Sequence, residues 1–142
     1  MPECVFCAIV ADELPSYTVY ETAEALAFLD ANPLAEGHTL VVPKDHHERL
    51  QDVPTETAAG FYDAVHEVVP AVETAVDAPA TTVAVNNGTV AGQEVPHVHA
   101  HVVPRFAEDG AGPVHALFPD RPTVSDRRQE TLATAISAEV SP

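Results

Sequence analysis

The stretch His97-Val98-His99-Ala100-His101-Val102-Val103 decides how this chain is read. Side chains of a strand alternate between its faces, so His97, His99 and His101 share one face while Val98, Ala100 and Val102 share the other. The apolar face suits packing on a helix. The three histidines then stand in a row with about 7 Å between neighbours. Burying three imidazoles without partners is unfavourable, so the row is expected to face a ligand, a metal or water. Two chemistries fit it. One is a metal site, because neutral imidazole is a common ligand. The other is a nucleophilic imidazole flanked by histidines that orient it and bind an anion.

Outward from this segment, Pro and Gly punctuate a series of short β-like runs. Strands are expected over 17–21 (YTVYE), 25–30 (ALAFLD) and 39–42, the last stopped by Pro43. A fourth covers 81–85, closed by the turn Asn86-Asn87-Gly88, and the histidine strand ends at Pro104. From 55 to 76, Phe61, Val65, Val68, Val69, Val72 and Val76 recur at helical spacing, with Thr55 as a candidate cap. Pro70 lies inside that helix, where a kink or interruption is expected. A second helix over 126–139 carries Leu132 and Ile136 on one face, and 108–124 reads as a surface loop. Strands around one long helix give an α+β domain with a five-stranded antiparallel sheet and two helices.

A chain of 142 residues fits one domain, 1–142, large enough to own a core without disulfides. Mean hydropathy near zero excludes a disordered chain. Charge is the outlier: 22 acidic residues against 6 basic give −16, and Lys44 is the single lysine. Such a surface repels phosphate backbones and anionic headgroups, which argues against nucleic-acid and membrane partners. Self-repulsion of that size is relieved where salt shortens the screening length to about 3 Å at 1 M, so a halophile-like surface is expected. Met1-Pro2-Glu3 lacks a basic leader region and no apolar run reaches membrane-spanning length, so a cytoplasmic location is expected. In that compartment Cys4 and Cys7 read as thiols or metal ligands rather than a disulfide.

The histidine segment, followed to either side, resembles the histidine triad family of nucleotide-binding hydrolases and transferases. The likeness includes Cys4 to Val10, Pro15-Ser16-Tyr17, Ala27 to Asp30, Gly37 to Lys44, Asn86-Asn87-Gly88 and Ala91-Gly92-Gln93, in order over roughly residues 4 to 105. The resemblance implies a dimeric fold of this kind and assigns roles by position. His99 matches the nucleophile that attacks an α-phosphate, His101 the histidine that contacts the phosphate, and His38 a residue supporting the triad. Asn86 matches a ribose or phosphate ligand, and Gly92 and Gln93 a loop that brings backbone N–H groups to the phosphate. Asp30 matches the acid that takes the ribose hydroxyls. Val5, Phe6, Ile9 and Phe28 match the apolar wall around a purine base. Microbial members with a Cys-x-x-Cys pair resemble zinc proteins, which here implies a structural Cys4, Cys7, His46 and His97 set.

Departures from the family pattern are few. Glu94 stands where a hydroxyl residue is common near the phosphate, Pro96 precedes the triad, and the chain has no tryptophan. Lys44 and Arg105 are the basic residues near these motifs, while His47, His66 and His115 read as solvent-facing. The implied activity is hydrolysis of purine nucleoside phosphoramidates or related conjugates through a nucleotidyl-histidine, releasing a nucleoside monophosphate. The rivals are a dinucleoside polyphosphate hydrolase, a metal enzyme holding one ion on His97, His99 and His101, and a nucleotide sensor without turnover.

Overall fold

The structure of the chain, a computed structural model, describes residues 4–140; the Met1-Pro2-Glu3 segment read above lies outside them. Its strands are β1 (Thr18–Glu21), β2 (Ala25–Leu29), β3 (Thr39–Pro43), β4 (Ala80–Ala84) and β5 (Ala100–Arg105). Its helices are α1 (Val5–Val10), α2 (Thr55–Val76) and α3 (Asp126–Glu139). The strands form one antiparallel sheet in the order β1-β2-β3-β5-β4, with Leu40 opposite His101 and Ala84 also opposite His101. The chain divides into two compact units, Met1–Asp109 and Gly110–Pro142.

Alternation along the strands sorts side chains into two layers. Ala25, Ala27, Val41, Ala100 and Val102 turn to one side, where Phe61, Ala64, Val65, Val68 and Val72 of α2 cover them. Leu26, Phe28, Leu40 and Val42 turn to the other and meet Phe6 of α1. One face of the sheet is therefore a plain apolar core, and the other carries the histidines. Truncating Phe61, 4% exposed, to Ala costs roughly 3–5 kcal/mol.

Several local expectations need correction. Helix α2 runs unbroken through Pro70, which is exposed, so water can reach the carbonyl that loses its partner. Pro54 rather than Thr55 occupies the N-cap, without a side-chain hydrogen bond. Strand β3 ends on Pro43 as expected, whereas β5 continues one residue past Pro104, which lies beyond Val102, the last β5 residue that β3 pairs. Helix α1 was not expected. It has six residues, Phe6 is its buried side chain, and the Cys4 thiol caps it by accepting the Cys7 N–H at 3.4 Å.

The histidine segment departs most. Strand β5 begins at Ala100, so His97 and His99 precede it. The Val98 N–H bonds the His47 carbonyl at 2.8 Å, and the His97 N–H bonds the Val95 carbonyl at 2.8 Å. Val98, Ala100 and Val102 are buried as expected, yet the opposite row is not open: His97 is 0% exposed and His99 6%.

In the second unit, α3 starts on Ser125, whose hydroxyl accepts the Arg128 N–H at 3.1 Å. No residue of α3 is buried, Leu132 being half-buried and Ile136 exposed. A 3-10 turn at Val114–Leu117 interrupts the expected loop. Among the described residues, no helix is long and apolar enough to cross a membrane.

Candidate active site

Fixed backbone groups decide which nitrogen of each buried histidine carries its proton. The His99 Nδ1 lies 2.8 Å from the His97 carbonyl oxygen. A carbonyl only accepts, so Nδ1–H donates and the lone pair of His99 lies on Nε2. The His99 ring is held edge-on against Phe6 at 5.0 Å and against His101 at 5.0 Å. The nucleophile expected from the sequence is therefore oriented by the backbone of the residue two before it.

His101 is set by a longer chain of contacts. The Leu34 N–H donates to His38 Nδ1 at 3.0 Å, which leaves the proton of His38 on Nε2. That Nε2 stands 3.0 Å from His101 Nδ1 and 3.5 Å from Asp30 Oδ2. His38 Nε2–H thus donates to His101 Nδ1, and His101 keeps its own proton on Nε2. Burial pushes the pKa of His38 down against the pull of Asp30. Burial, then the charges of His99 and His38, push His101 down to about 4. Both rings are neutral at pH 7, and His101 is a hydrogen-bond donor beside His99.

The third donor group is built differently. His97 Nε2–H donates to the Pro43 carbonyl at 2.8 Å, so the Nδ1 lone pair points at the cysteines. Nδ1 is 3.4 Å from Cys4 Sγ and 3.5 Å from Cys7 Sγ, and His46 Nδ1 is 3.2 Å from Cys7 Sγ. Edges between S and N ligands of tetrahedral zinc measure about 3.5 Å with ordinary bond lengths. The four ligand atoms also lie within 4.8 Å of one another, so this set fits a closed zinc site. Burial, then the hydrogen bond and charge of Cys4, push the Cys7 thiol up to about 11 in the absence of a cation. Burial lowers the pKa of His97, keeping its ring neutral and available as a ligand.

Asp30, His38 and His101 also bring ligand atoms within 4.8 Å of one another. The Leu34 N–H argues against a metal there, because it fixes a proton on the His38 nitrogen that would have to coordinate. The three triad histidines do not converge on one ion either: His97 turns to the thiols and His99 Nδ1 to a carbonyl.

The loop over residues 88–93, expected to turn its amides to a phosphate, spends those of Ala91, Gly92 and Gln93 internally. The amides of Ala91 and Gln93 bond the Gly88 carbonyl at 3.0 and 3.2 Å, and that of Gly92 bonds Thr89 at 2.9 Å. The Gln93 side chain accepts the Gly88 N–H at 2.8 Å and donates to the Glu48 and Val95 carbonyls at 2.7 and 2.9 Å. Gly92 and Gln93 therefore build the loop, and their donors are not turned to a ligand. Among the described residues, the amides of Thr89, Val90 and Glu94 donate to no protein acceptor, and the Glu94 side chain is exposed. Asn86 sits beside this turn, its Nδ2 3.7 Å from where a Cβ on Gly92 would stand.

Around the apolar wall, Phe6 and Phe28 pack edge-on at 5.5 Å in the second core cluster, while Ile9 is half-buried against it and Val5 is exposed. Asp30 Oδ1 accepts the Asn32 N–H at 2.9 Å. His66 and His115 are exposed as expected, but His47 Nε2 is buried without a hydrogen-bond partner. The basic residues named from the sequence are engaged elsewhere: Lys44 with Glu21 at 2.6 Å and Arg105 with Asp109 at 2.7 Å. The cation at the loop is Arg49, whose Nη2 lies 2.6 Å from where a Cβ on Gly88 would stand. Nothing in the periodicity around Arg49 marks it, since only the fold brings residues 48–52 onto the loop.

Comparison with known proteins agrees with this geometry. Residues 11–108 match the HIT domain family. The chain is 34% identical to an adenosine 5'-monophosphoramidase of Schizosaccharomyces pombe, covering 96% of this chain and 98% of that one. A crystal structure of a HIT family protein from Bacillus subtilis superposes with a TM-score of 0.89 at 32% identity, covering 99% of both chains. A zinc-bound histidine triad protein from Mycobacterium smegmatis does so with 0.73 at 38% identity, covering 96% of this chain and 97% of that one. With the family match spanning more than half its length and the triad poised as described, the chain belongs to the histidine triad (HIT) family.

Proposed function

We propose that this chain is a nucleotide hydrolase acting at the α-phosphate of purine nucleoside phosphoramidates or related conjugates. The observation that carries the reading is the proton fixed on His99 Nδ1, which leaves Nε2 free without a helper base. As the bond from Nε2 to phosphorus forms, the bond from phosphorus to the leaving group breaks, and the leaving amine takes the bonding pair together with a proton from solvent. His101 Nε2–H and the Glu94 amide meet the charge that builds on the phosphoryl oxygens. Water then attacks phosphorus and gives a proton to solvent, the electron pair of the N–P bond returns to Nε2, and nucleoside monophosphate leaves. Asp30 and Asn86 take the ribose, and Val5 and Ile9 meet the base with Phe6 and Phe28 packed behind them.

Zinc on Cys4, Cys7, His46 and His97 supplies a structural tie between the N-terminal segment and the triad. His97 joins the two centres, its ring facing the thiols and its carbonyl holding His99. The chain acts in the cytoplasm as a homodimer paired through the long helix and a strand edge; β4 is an edge strand with Val83 exposed, and Tyr62 of α2 is exposed. The test is AMP release from adenosine 5'-phosphoramidate in high salt, which screens the −16 charge, with wild type beside His99→Ala. Turnover is expected in wild type and a loss of about a thousand-fold or more in the variant. Equal turnover in both proteins contradicts the assignment of His99.

A further inference from the structure

The segment after the metal-ligand His46 is clamped to the phosphate loop by three hydrogen bonds. Leu50 N–H donates to Asn87 Oδ1 at 2.8 Å, Asn87 Nδ2 to Gln51 Oε1 at 2.9 Å, and Gln93 Nε2 to the Glu48 carbonyl at 2.7 Å. Arg49 therefore projects from a fixed base, and its guanidinium lies over Gly88. A side chain at Gly88 would meet Nη2 at 2.6 Å, and φ of +103° disfavours one in any case. The glycine thus leaves room for the guanidinium against the loop.

Charge makes the placement informative. Of the three basic residues in Met1–Asp109, Lys44 and Arg105 each hold a carboxylate. Among the described residues no carboxylate stands within ion-pair distance of Arg49, in a chain with 22 acids and 6 bases. The Asp52 carboxylate accepts the Arg49 backbone N–H at 3.2 Å, and the exposed guanidinium beside the loop presents a fork that matches a tetrahedral oxyanion.

We propose that Arg49 extends the range of the site to substrates whose leaving group is itself an oxyanion, a phosphate or sulfate bonded to the α-phosphate, by holding that group. The inference rests on the reading above that the α-phosphate lies at the loop between Asn86 and Glu94. It makes Arg49 a specificity-determining residue outside the His38, His99 and His101 machinery.

The experiment uses the zinc-loaded full chain at fixed ionic strength, comparing wild type, Arg49→Gln and Arg49→Lys. Binding of ADP and AMP is measured by calorimetry, and kcat/KM on adenylyl sulfate and on adenosine 5'-phosphoramidate by AMP release. Arg49→Gln is expected to lose about ten-fold on ADP binding and on adenylyl sulfate, keep AMP and the phosphoramidate within about two-fold, and be partly rescued as Lys. A loss on ADP alone assigns the site to phosphate leaving groups, and a loss on adenylyl sulfate alone to sulfate. Equal losses on all four compounds, or none, overturn the proposal. If wild type binds nucleotides but hydrolyses neither substrate, the hydrolase reading fails while the ADP-to-AMP ratio still decides Arg49. If wild type binds no nucleotide, both fail.

Discussion

Two groups of donors in this chain look alike by composition and behave differently. Cys4, Cys7, His46 and His97 form one, and Asp30, His38 and His101 the other, each with its ligand atoms within 4.8 Å. The difference lies on the far side of the imidazoles. His97 gives its Nε2 proton to the Pro43 carbonyl and turns a lone pair inward. His38 receives the Leu34 N–H on Nδ1 and turns a proton inward. An acceptor behind the ring makes a ligand, and a donor behind it makes a hydrogen-bond relay. Residue identity and distance alone do not separate a metal centre from a proton-ordered site; the backbone group on the other nitrogen does.

The largest effect expected from this contrast is on metal content. Cys7→Ser should remove bound zinc after dialysis and lower the unfolding midpoint by roughly 5–15 °C, read by elemental analysis and calorimetry. Zinc retained at full occupancy would mean that the thiol set is not the site. His38→Ala should leave zinc content unchanged and lower kcat by roughly 100-fold, because His101 loses the donor that fixes its proton on Nε2. A zinc loss in that variant would join the two groups that the structure keeps apart.

A smaller effect is expected in the pH dependence of stability. His101 titrates near 6.5 when unfolded and is held down to about 4 in the fold. Between those values the unfolded chain binds more protons, so stability rises with pH across the window and its contribution is complete above about 6.5. Denaturant midpoints should therefore fall as pH drops from 6.5 towards 4, and less steeply in His38→Ala, where one like-charged neighbour of His101 is gone. A flat profile over that range would contradict the buried neutral relay.

The sheet and its two longer helices were legible because their signals are local: short runs rich in aromatic and branched residues between turn signals at 25–30 and 39–42, and a long stripe at 55–76. Helix α1 was not legible, since six consecutive residues with one buried side chain carry no period. The triad read correctly as three rings on one side of the chain and incorrectly as an open row. What closes it is Phe6, packed 5.8 Å from His97 and 5.0 Å from His99 across more than ninety residues of sequence. The loop over residues 88–93 was recognisable by its glycines, but not the internal bonds that occupy the amides of Ala91 to Gln93. Those depend on Gln93 reaching Glu48, a contact between segments that share no sequence pattern. Arg49 was missed for the same reason.

Nitrogen NMR of the histidine rings at neutral pH tests the central claim most directly. The account predicts the proton of His99 on Nδ1 and those of His38, His97 and His101 on Nε2. A proton on His99 Nε2 would leave no lone pair facing the phosphate, and one on His38 Nδ1 would undo the relay; either result contradicts the account.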